Sequence, residues 1–188
     1  AAVICVEDPL REEAADAVRE LKEAGITKVV MMTGDSERTA AAIAKRVGVD
    51  EYYSEVLPED KASFVEKEKK LGHKVIMIGD GINDSLALSS ASVGIAISDG
   101  AAIAREIADV TISADNLHEI VTLKRLSTAL MKRIHNNYRT IIGINGGLIA
   151  LGVTGIIMPT TSALLHNMST LTISLRSMRN LLPKEEDI

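Results

Sequence analysis

The sequence has very few aromatic residues and a single cysteine. It contains no tryptophan and one phenylalanine, and aromatic residues make up 2% of its 188 residues. This composition argues against a groove that stacks nucleic-acid bases on aromatic rings, and the net charge of −5 argues against nucleic-acid binding in general. Because Cys5 stands alone, an intramolecular disulfide framework, a CxxC redox pair and a cysteine-rich zinc site are excluded. The 46% hydrophobic content is still enough for a packed core.

The charges are distributed unevenly along the chain. Residues 1–123 carry 23 acidic and 13 basic side chains, whereas residues 124–188 carry 3 acidic and 8 basic ones. Between Thr140 and Leu175, 36 consecutive residues include no Asp, Glu, Lys or Arg. Roughly 18 apolar residues without charge already indicate a membrane helix. The two parts of the chain are therefore predicted to lie in different surroundings, and the second part in a lipid bilayer.

Two membrane helices joined near Pro159 are predicted from the uncharged block. The first span, Thr140–Met158, has 19 residues, close to the ~20 needed to cross a ~30 Å hydrocarbon core. Basic residues flank both ends of the block, which predicts that both ends lie in the cytosol. The predicted segments are an α/β domain at 1–118, an amphipathic stalk helix at 119–139, two transmembrane helices at 140–182 and a cytosolic tail at 183–188. A multi-pass membrane protein follows, with residues 1–139 in the cytosol.

Short β-branched runs alternate with segments of helical period in the first 123 residues. The predicted strands are Val3–Val6, Lys28–Thr33, Lys74–Ile78 and Val93–Ile97, and the predicted helices are Arg11–Ala24, Glu37–Val47 and Glu59–Leu71. This spacing predicts βαβ units and an α/β fold with a doubly wound parallel sheet. Ligands of such a sheet bind where loops leave the carboxyl ends of the strands.

Small residues and carboxylates follow two of these predicted strands. The first strand end reads Thr33-Gly34-Asp35, and the second reads GDGINDS from residue 79 to residue 85. Glycines let a phosphate approach the backbone, and two carboxylates four residues apart can hold Mg²⁺. Lys61, near the start of a helix in the PEDK run, could neutralise a transferring phosphoryl group. Taken singly, Thr-Gly-Asp is more typical of a turn with a helix N-cap, and such a lysine of a solvated charge.

The order of TGD, PEDK and GDGIND resembles the phosphorylation domain of P-type cation-transporting ATPases, which are members of the haloacid dehalogenase superfamily. The resemblance implies a haloacid dehalogenase-like fold, ATP hydrolysis through an aspartyl phosphate, and Mg²⁺ as cofactor. It also implies roles for the motif residues: phosphoryl contact for Thr33, Gly34 and Asn83, support of the nucleotide and catalytic loop for Asp35, stabilisation of phosphoryl charge for Lys61, and Mg²⁺ binding for Asp80 and Asp84. A soluble phosphatase of the superfamily would not account for the uncharged block.

The family's nucleophile is the aspartate of a DKTGT motif, and no DKTGT occurs between Ala1 and Ile188. The resemblance therefore implies that this chain is a fragment of a pump and is inactive alone. Its expected partners are the rest of that pump, namely the nucleophile strand, the nucleotide-binding domain, the actuator domain and the other membrane helices, together with the lipid bilayer. The alternative is a membrane-anchored pseudo-domain without catalysis, with a binding or regulatory role.

Polar residues inside the uncharged block are candidates for an ion path. They are Asn145 in the first predicted span and His166, Asn167, Ser169 and Thr170 in the second. Asn145 could equally make an interhelical hydrogen bond beside Gly143 and Gly147. This tail resembles the type IB heavy-metal branch of the family, yet it lacks both the Tyr-Asn and Met-x-x-Ser-Ser motifs of copper members and the Lys and Asp of many zinc and cadmium members. Imidazole and oxygen donors favour a divalent ion of the Zn, Cd, Co or Mn class over Cu(I), and the resemblance implies that this ion is exported.

Overall fold

The computed structural model describes residues 10–79, 83–97, 106–112 and 117–181. The chain divides into two compact units, Ala1–Thr122 and Leu123–Ile188. This division lies next to the position where the sequence changes from acidic to basic. The predicted strand Val3–Val6 and the predicted Mg²⁺ ligand Asp80 lie outside the described residues.

The first unit alternates helices and strands along the chain. Its helices are α1 (Ala14–Glu23), α2 (Glu37–Val47), α3 (Pro58–Lys70) and α4 (Ser85–Ser90), and its strands are β1 (Val30–Met32), β2 (Glu51–Tyr53), β3 (Ile76–Gly79), β4 (Val93–Ile97) and β5 (Val110–Ile112). The predictions for α2 and β4 have the observed bounds. The elements that sequence reasoning missed are β2, α4 and β5, which are too short to show a clear period.

The described strands form two parallel sheets. One contains β1 and β2 with Val30 opposite Glu51, and the other has the order β3-β4-β5 with Ile76 opposite Val93. The predicted parallel pairing is confirmed, but within the described residues β1 and β3 are not paired with each other. Each of these strands therefore has one edge without a strand partner in the described part of the chain.

Small buried side chains line the contacts of the helices with one another and with the sheets. The buried apolar residues include Ala14 and Ala17 on α1, Ala40 and Ala44 on α2, Val65 on α3, Ala87 and Leu88 on α4, and Ile95 and Ala96 on β4. An alanine lets a helix axis approach its neighbour closely without loss of packing density.

The start of α3 is defined by local sequence chemistry. Pro58 occupies the first helical turn, where its missing N–H costs no hydrogen bond, and the backbone N–H of Leu57 donates to the Asp60 carboxylate at 3.2 Å. Lys61 therefore lies in the first turn of α3, as the PEDK pattern predicts.

The second unit contains most of helix α5 (His118–Val153) and all of helix α6 (Pro159–Ser177). The chain reverses between the two helices, and Gly155 adopts the left-handed region there with φ of 73°. The predicted stalk and first span are one continuous helix. Ile120 and Val121 at its start are buried, whereas Leu126, Leu130 and Ile134 of the predicted apolar stripe are 37–48% exposed.

No helix in the described part of the chain combines the length and the apolarity required to cross a membrane. The two predicted spans, within 140–182, are therefore not confirmed. The prediction depended on the absence of charged side chains, but absence of charge is not the same as high hydropathy. The block between Thr140 and Leu175 is rich in Gly, Ser and Thr and includes Asn145, His166 and Asn167, which lower its mean hydropathy.

Candidate functional site

Residues Thr33 to Asp35 form a tight turn at the carboxyl end of β1. The Thr33 hydroxyl donates to the Asp35 carboxylate at 2.8 Å and accepts from the Asp35 backbone N–H at 3.1 Å. The N-cap of α2 is Ser36, not Asp35. The turn is joined to the next loop by the backbone N–H groups of Glu55 and Val56, which donate to the carbonyls of Asp35 and Thr33 at 2.9 and 3.0 Å.

The loop after β2 holds an unusual backbone conformation beside this turn. Glu55 has a φ of 54°, a left-handed value that a non-glycine residue adopts at a cost of about 1 kcal/mol or more. The hydrogen bond from its N–H to the Asp35 carbonyl holds it there. Leu57, two residues after Glu55, is the N-cap of α3. The loop therefore sets where that helix begins relative to Thr33.

An ion pair joins the start of α3 to the loop after β3. Lys61 Nζ lies 2.7 Å from Asp84 Oδ1, and the two side chains are only 15% and 12% exposed. Asp84 is the only buried charged or polar residue in the described part of the chain. The solvated-charge interpretation of Lys61 is therefore wrong. These two residues are 23 positions apart in the sequence, and the fold brings their charges together.

Gly79, the last residue of β3, lies against this pair. A Cβ added at residue 79 would lie 2.7 Å from Cβ of Asp84 and would collide with its carboxylate. Real Cβ atoms do not approach so closely, so the Asp84 carboxylate occupies the space that a side chain at residue 79 would fill. The first glycine of the GDGIND motif is thus required by the position of its last aspartate.

The predicted phosphoryl-site residues form two local groups. No hydrogen bond between described residues joins the Thr33–Asp35 turn to the Lys61–Asp84 pair; the connection is the backbone of residues 53–57. Asn83 is exposed, and Gly34 is exposed at the tip of its turn. Among the described residues, no three His, Cys, Asp or Glu side chains form a group that could hold a metal ion. Asp80, the predicted partner of Asp84 at Mg²⁺, lies outside that set.

Sequence reasoning missed a cluster around Glu37 in the first turn of α2. The Glu37 carboxylate accepts hydrogen bonds from the Ser54 and Tyr52 hydroxyls at 2.6 and 2.7 Å. Donation from Ser54, followed by that from Tyr52, lowers the pKa of Glu37 below its usual 4.5, and the same contact raises the pKa of Tyr52. Glu37 and Tyr52 are fifteen residues apart in sequence, so no local pattern predicts their contact. The cluster becomes evident only from the position of β2 beside α2.

The second unit brings together two of the predicted ion-path residues. His166 Nδ1 on α6 lies 2.8 Å from Oδ1 of Asn145 on α5, a hydrogen bond between the antiparallel helices. Both residues line a cavity of about 700 Å³, whose other polar lining side chains are Ser162 and Asn167.

The other two predicted ion-path residues use their hydroxyls locally. Ser169 and Thr170 donate to the backbone carbonyl of His166 at 2.8 and 3.0 Å, and neither lines the cavity. A hydroxyl bonded to the preceding turn of its own helix serves the backbone. Of the five predicted ion-path residues, Asn145, His166 and Asn167 line the cavity.

Three comparisons with known proteins bear on this geometry. The profile of the haloacid dehalogenase-like hydrolases matches residues 1–92. A zinc-exporting P-type ATPase of Mycobacterium marinum is 36% identical over 94% of this chain and 24% of its own length. The crystal structure of a zinc-transporting PIB-type ATPase in the E2.Pi state superposes with a TM-score of 0.85 at 34% identity, covering 94% of this chain and 29% of that one. The chain is homologous to the heavy-metal P-type ATPases.

This homology confirms the resemblance carried by the TGD, PEDK and GDGIND motifs, and it confirms the haloacid dehalogenase-like α/β fold. The heavy-metal P-type ATPases related to the chain differ in the metal that their names give. A copper-exporting member from Bacillus subtilis is 38% identical over 95% of this chain and 22% of its own length, and manganese exporters are related at 36–37% identity. The chain spans about a quarter of the length of these relatives.

Proposed function

We propose that this chain supplies the phosphoryl-binding half of the catalytic domain of a metal-exporting P-type ATPase, together with a helical hairpin that binds the exported ion. The observation that carries the proposal is the enclosed contact between Lys61 and Asp84 at the carboxyl end of β3. A parallel sheet binds its ligands at this end. A cation and a carboxylate held beside each other there are suited to a phosphoryl group and its metal ion.

The donor chemistry around Asp84 fits Mg²⁺. Its carboxylate offers oxygen ligands of the kind a hard cation prefers, and the missing Cβ at Gly79 leaves the cradle in which that carboxylate lies. We propose Asp84 and Asp80 as the residues that hold Mg²⁺, which when bound neutralises negative charge on phosphoryl oxygens. Lys61 would keep its contact with Asp84 and add one to the phosphoryl group, since an ammonium has three donors.

The turn at the end of β1 is proposed to meet the same phosphoryl group. The Thr33 hydroxyl can donate to a phosphoryl oxygen, and Gly34 presents an exposed backbone N–H without a side chain in the way. Because the hydroxyl has a single O–H, it would turn away from the Asp35 carboxylate, to which it now donates at 2.8 Å, while the Asp35 backbone N–H keeps holding its oxygen. Asp35 is proposed to support the catalytic loop and the nucleotide. Asn83, which is exposed beside Asp84, is proposed to donate to the phosphoryl oxygens.

ATP hydrolysis by an aspartyl phosphate needs a nucleophile that this sequence does not contain, since it has no DKTGT motif. We therefore propose that the chain acts with the remainder of a pump, including the nucleophile strand, the nucleotide-binding and actuator domains and the other membrane helices, and that it is inactive by itself. The relatives, of which the chain covers about a quarter, support this assignment.

The exported ion is proposed to be a divalent metal of the Zn, Cd, Co or Mn class rather than copper. The polar lining of the cavity between α5 and α6 consists of one imidazole, two amides and one hydroxyl, with no sulfur among the lining residues. Nitrogen and oxygen donors suit borderline and hard divalent ions, whereas Cu(I) is bound best by thiolate and thioether. His166 would be the first ligand and Asn145 the second.

The bilayer is proposed as the surroundings of the second part of α5 and of α6. Support comes from the absence of charged residues between Thr140 and Leu175 and from the large apolar side chains that these helices expose, such as Ile142, Leu164 and Leu171. The relatives are ion pumps by name. With the hairpin in the membrane, the basic residues on either side of the uncharged block would place residues 1–139 and the C-terminus in the cytosol.

Phosphoenzyme formation from ATP in the full-length protein tests the phosphoryl site. Lys61→Ala, Asp84→Asn and Asp80→Asn should each lower the Mg²⁺-dependent phosphoenzyme level at least tenfold. Lys70→Ala is the matched control, because Lys70 lies on the same helix but its side chain is 81% exposed. Normal phosphoenzyme in all three variants would refute the assignment, and no phosphoenzyme in the unmodified protein would favour the non-catalytic alternative.

Metal-stimulated ATPase activity tests the ion site. His166→Ala should abolish stimulation by divalent metal while phosphorylation by inorganic phosphate persists, because that reaction proceeds from the metal-free pump and needs the phosphoryl site but not the ion site. Asn145→Ala should have the same effect more weakly, since a neutral amide is a poorer ligand than imidazole. His135→Ala is the control, because His135 is an exposed imidazole on α5 that contacts its own helix at the Met131 carbonyl. Unaltered stimulation in His166→Ala would overturn the ion-site assignment alone.

A further inference from the structure

Arg133 on α5 makes an unusual set of contacts with the C-terminal end of α6. Its guanidinium donates to the backbone carbonyls of Ser177 at 3.0 Å and Asn180 at 2.9 Å, and also to the carbonyl of Arg179. These carbonyls lie at and just beyond the last turn of the helix, where no further helical N–H follows to donate to them. One side chain therefore caps the end of the neighbouring helix.

A second contact lies one turn further along α5. Asn137 Nδ2 donates to the Ser177 hydroxyl at 2.6 Å, and that hydroxyl donates to the Ile173 carbonyl at 2.8 Å. Arg133, Asn137 and Ser177 are all half-buried, whereas most of the residues around them are exposed. We call these three residues, with the carbonyls of 179 and 180, the hairpin clasp.

The clasp and the Asn145–His166 contact share one antiparallel register. Arg133 precedes Asn145 by 12 residues, about 18 Å along a helix, and Ser177 follows His166 by 11 residues, about 16.5 Å, at a rise of ~1.5 Å per residue. Two helices held at both points cannot slide independently. The chain reversal around Gly155 holds one end of the hairpin, and the clasp holds the other.

We propose that Arg133 is a positioning residue that fixes the register in which His166 meets Asn145. A slip of one helical turn moves α6 by about 5.4 Å, which is more than a hydrogen bond can span. Only the expected effect of Arg133 on metal binding rests on the proposed function. The register itself is a property of the hairpin and can be measured without transport.

The chemistry explains why this residue is an arginine. A guanidinium has five donors in a planar fork and can contact several carbonyls at once, whereas an ammonium is a point charge on a flexible stem. The C-terminal end of a helix also carries partial negative charge that favours a cation. Residues 123–181 include no Asp or Glu, so this part of the chain offers Arg133 uncharged oxygens, such as backbone carbonyls, and no carboxylate.

Cross-linking measures the register directly in the full-length protein, with Cys5 and any other cysteine replaced. The in-register pair is Asn145→Cys with His166→Cys, and the slipped pair is Asn145→Cys with Thr170→Cys, one turn along α6. With Arg133 present, a short bis-methanethiosulfonate reagent should cross-link the in-register pair at least tenfold faster. Arg133→Ala should reduce this ratio below threefold, and Arg133→Lys should give an intermediate value.

Arg139→Ala is the matched control, because Arg139 is an exposed arginine on the same helix. It should leave the cross-linking ratio unchanged. If Arg133→Ala does not fold, Arg133→Lys and Asn137→Ala carry the test, and each should lower the ratio at least twofold. A ratio that is unchanged in every folded clasp variant would overturn the proposal.

The functional consequence has a separate readout. Arg133→Ala should raise the metal concentration for half-maximal ATPase stimulation at least tenfold while the maximal level of phosphorylation by inorganic phosphate stays the same. Arg139→Ala should change neither quantity. If His166→Ala leaves metal stimulation intact, the ion-site proposal fails, but the cross-linking ratio still decides whether Arg133 sets the register. If His166→Ala abolishes metal stimulation but Arg133→Ala has a normal half-maximal metal concentration, the positioning role of Arg133 is overturned.

Discussion

Removing the charge of Lys61 should loosen the loop that carries Asp84. Lys61→Met keeps an unbranched apolar stem that is one atom shorter but leaves the Asp84 carboxylate, which is 12% exposed, without its cation. Breaking an enclosed ion pair in this way costs about 3–5 kcal/mol, because a charge remains in an environment that solvates it poorly. We expect Lys61→Met to lower the stability of this loop by about 3 kcal/mol. This value is at the low end of the range because neither side chain is completely enclosed.

The opposite substitution should cost less. Asp84→Asn leaves Lys61 without its carboxylate, but a lysine can extend its four-carbon stem and place the ammonium in water, so we expect a loss of about 1 kcal/mol. In the double variant no charge is left unpaired, so its loss should be smaller than that of Lys61→Met alone. A double-mutant cycle of Lys61→Met and Asp84→Asn should therefore give a coupling free energy of about 2 kcal/mol between the two side chains.

Amide hydrogen exchange at Leu88 is a suitable assay. The N–H of Leu88 donates to the Asp84 carbonyl at 2.8 Å, so its exchange reports opening of the first turn of α4. A loss of 3 kcal/mol corresponds to roughly 100-fold faster exchange, at 1.4 kcal/mol for each factor of ten. Lys70→Met, on the exposed side of α3, should change this rate less than about threefold. Exchange in Lys61→Met within threefold of the unmodified protein, or strictly additive effects in the cycle, would refute the reasoning.

Three further substitutions test other parts of the first unit. Gly79→Ala should displace the Asp84 carboxylate, because the added Cβ would lie 2.7 Å from Cβ of Asp84, and phosphoenzyme formation should fall at least tenfold. Gly34→Ala should leave the thermal midpoint within about 2 °C, since the nearest atom to an added Cβ is 4.0 Å away, yet lower phosphoenzyme if a phosphoryl group approaches this backbone. The Ser54 and Tyr52 hydroxyls lower the pKa of Glu37 below 4.5. The ionised Glu37 carboxylate therefore stabilises the folded state above pH 4.5, and this stabilisation is lost as the pH falls through the folded-state pKa. Glu37→Gln should therefore flatten the dependence of the thermal midpoint on pH in this range, and an unchanged slope would contradict the assignment.

The local elements of the first unit could largely be predicted from the sequence. Helix α2 and strand β4 have strong periods and appear with the predicted bounds, and the loops that carry TGD and GDGIND follow strands as expected. The three elements that were missed, β2, α4 and β5, have three to six residues each. Elements of this length are stabilised by pairing and packing with neighbours, so their own residues carry little periodic signal.

The sequence by itself determined the motifs, the order of the longer strands and helices, and the change from acidic to charge-poor composition, because all of these depend on residue type and on short-range spacing. The absence of charge between Thr140 and Leu175 was also evident, but it did not establish a membrane-spanning helix, since the polar uncharged residues reduce hydropathy. Only the tertiary structure decided that Lys61 meets Asp84, that Glu37 is held by Ser54 and Tyr52, and that His166 meets Asn145. Each of these contacts joins residues from 15 to 23 positions apart. Which side chains meet across two elements depends on the register and rotation of one element relative to the other. Packing determines both, and local periodicity does not encode them.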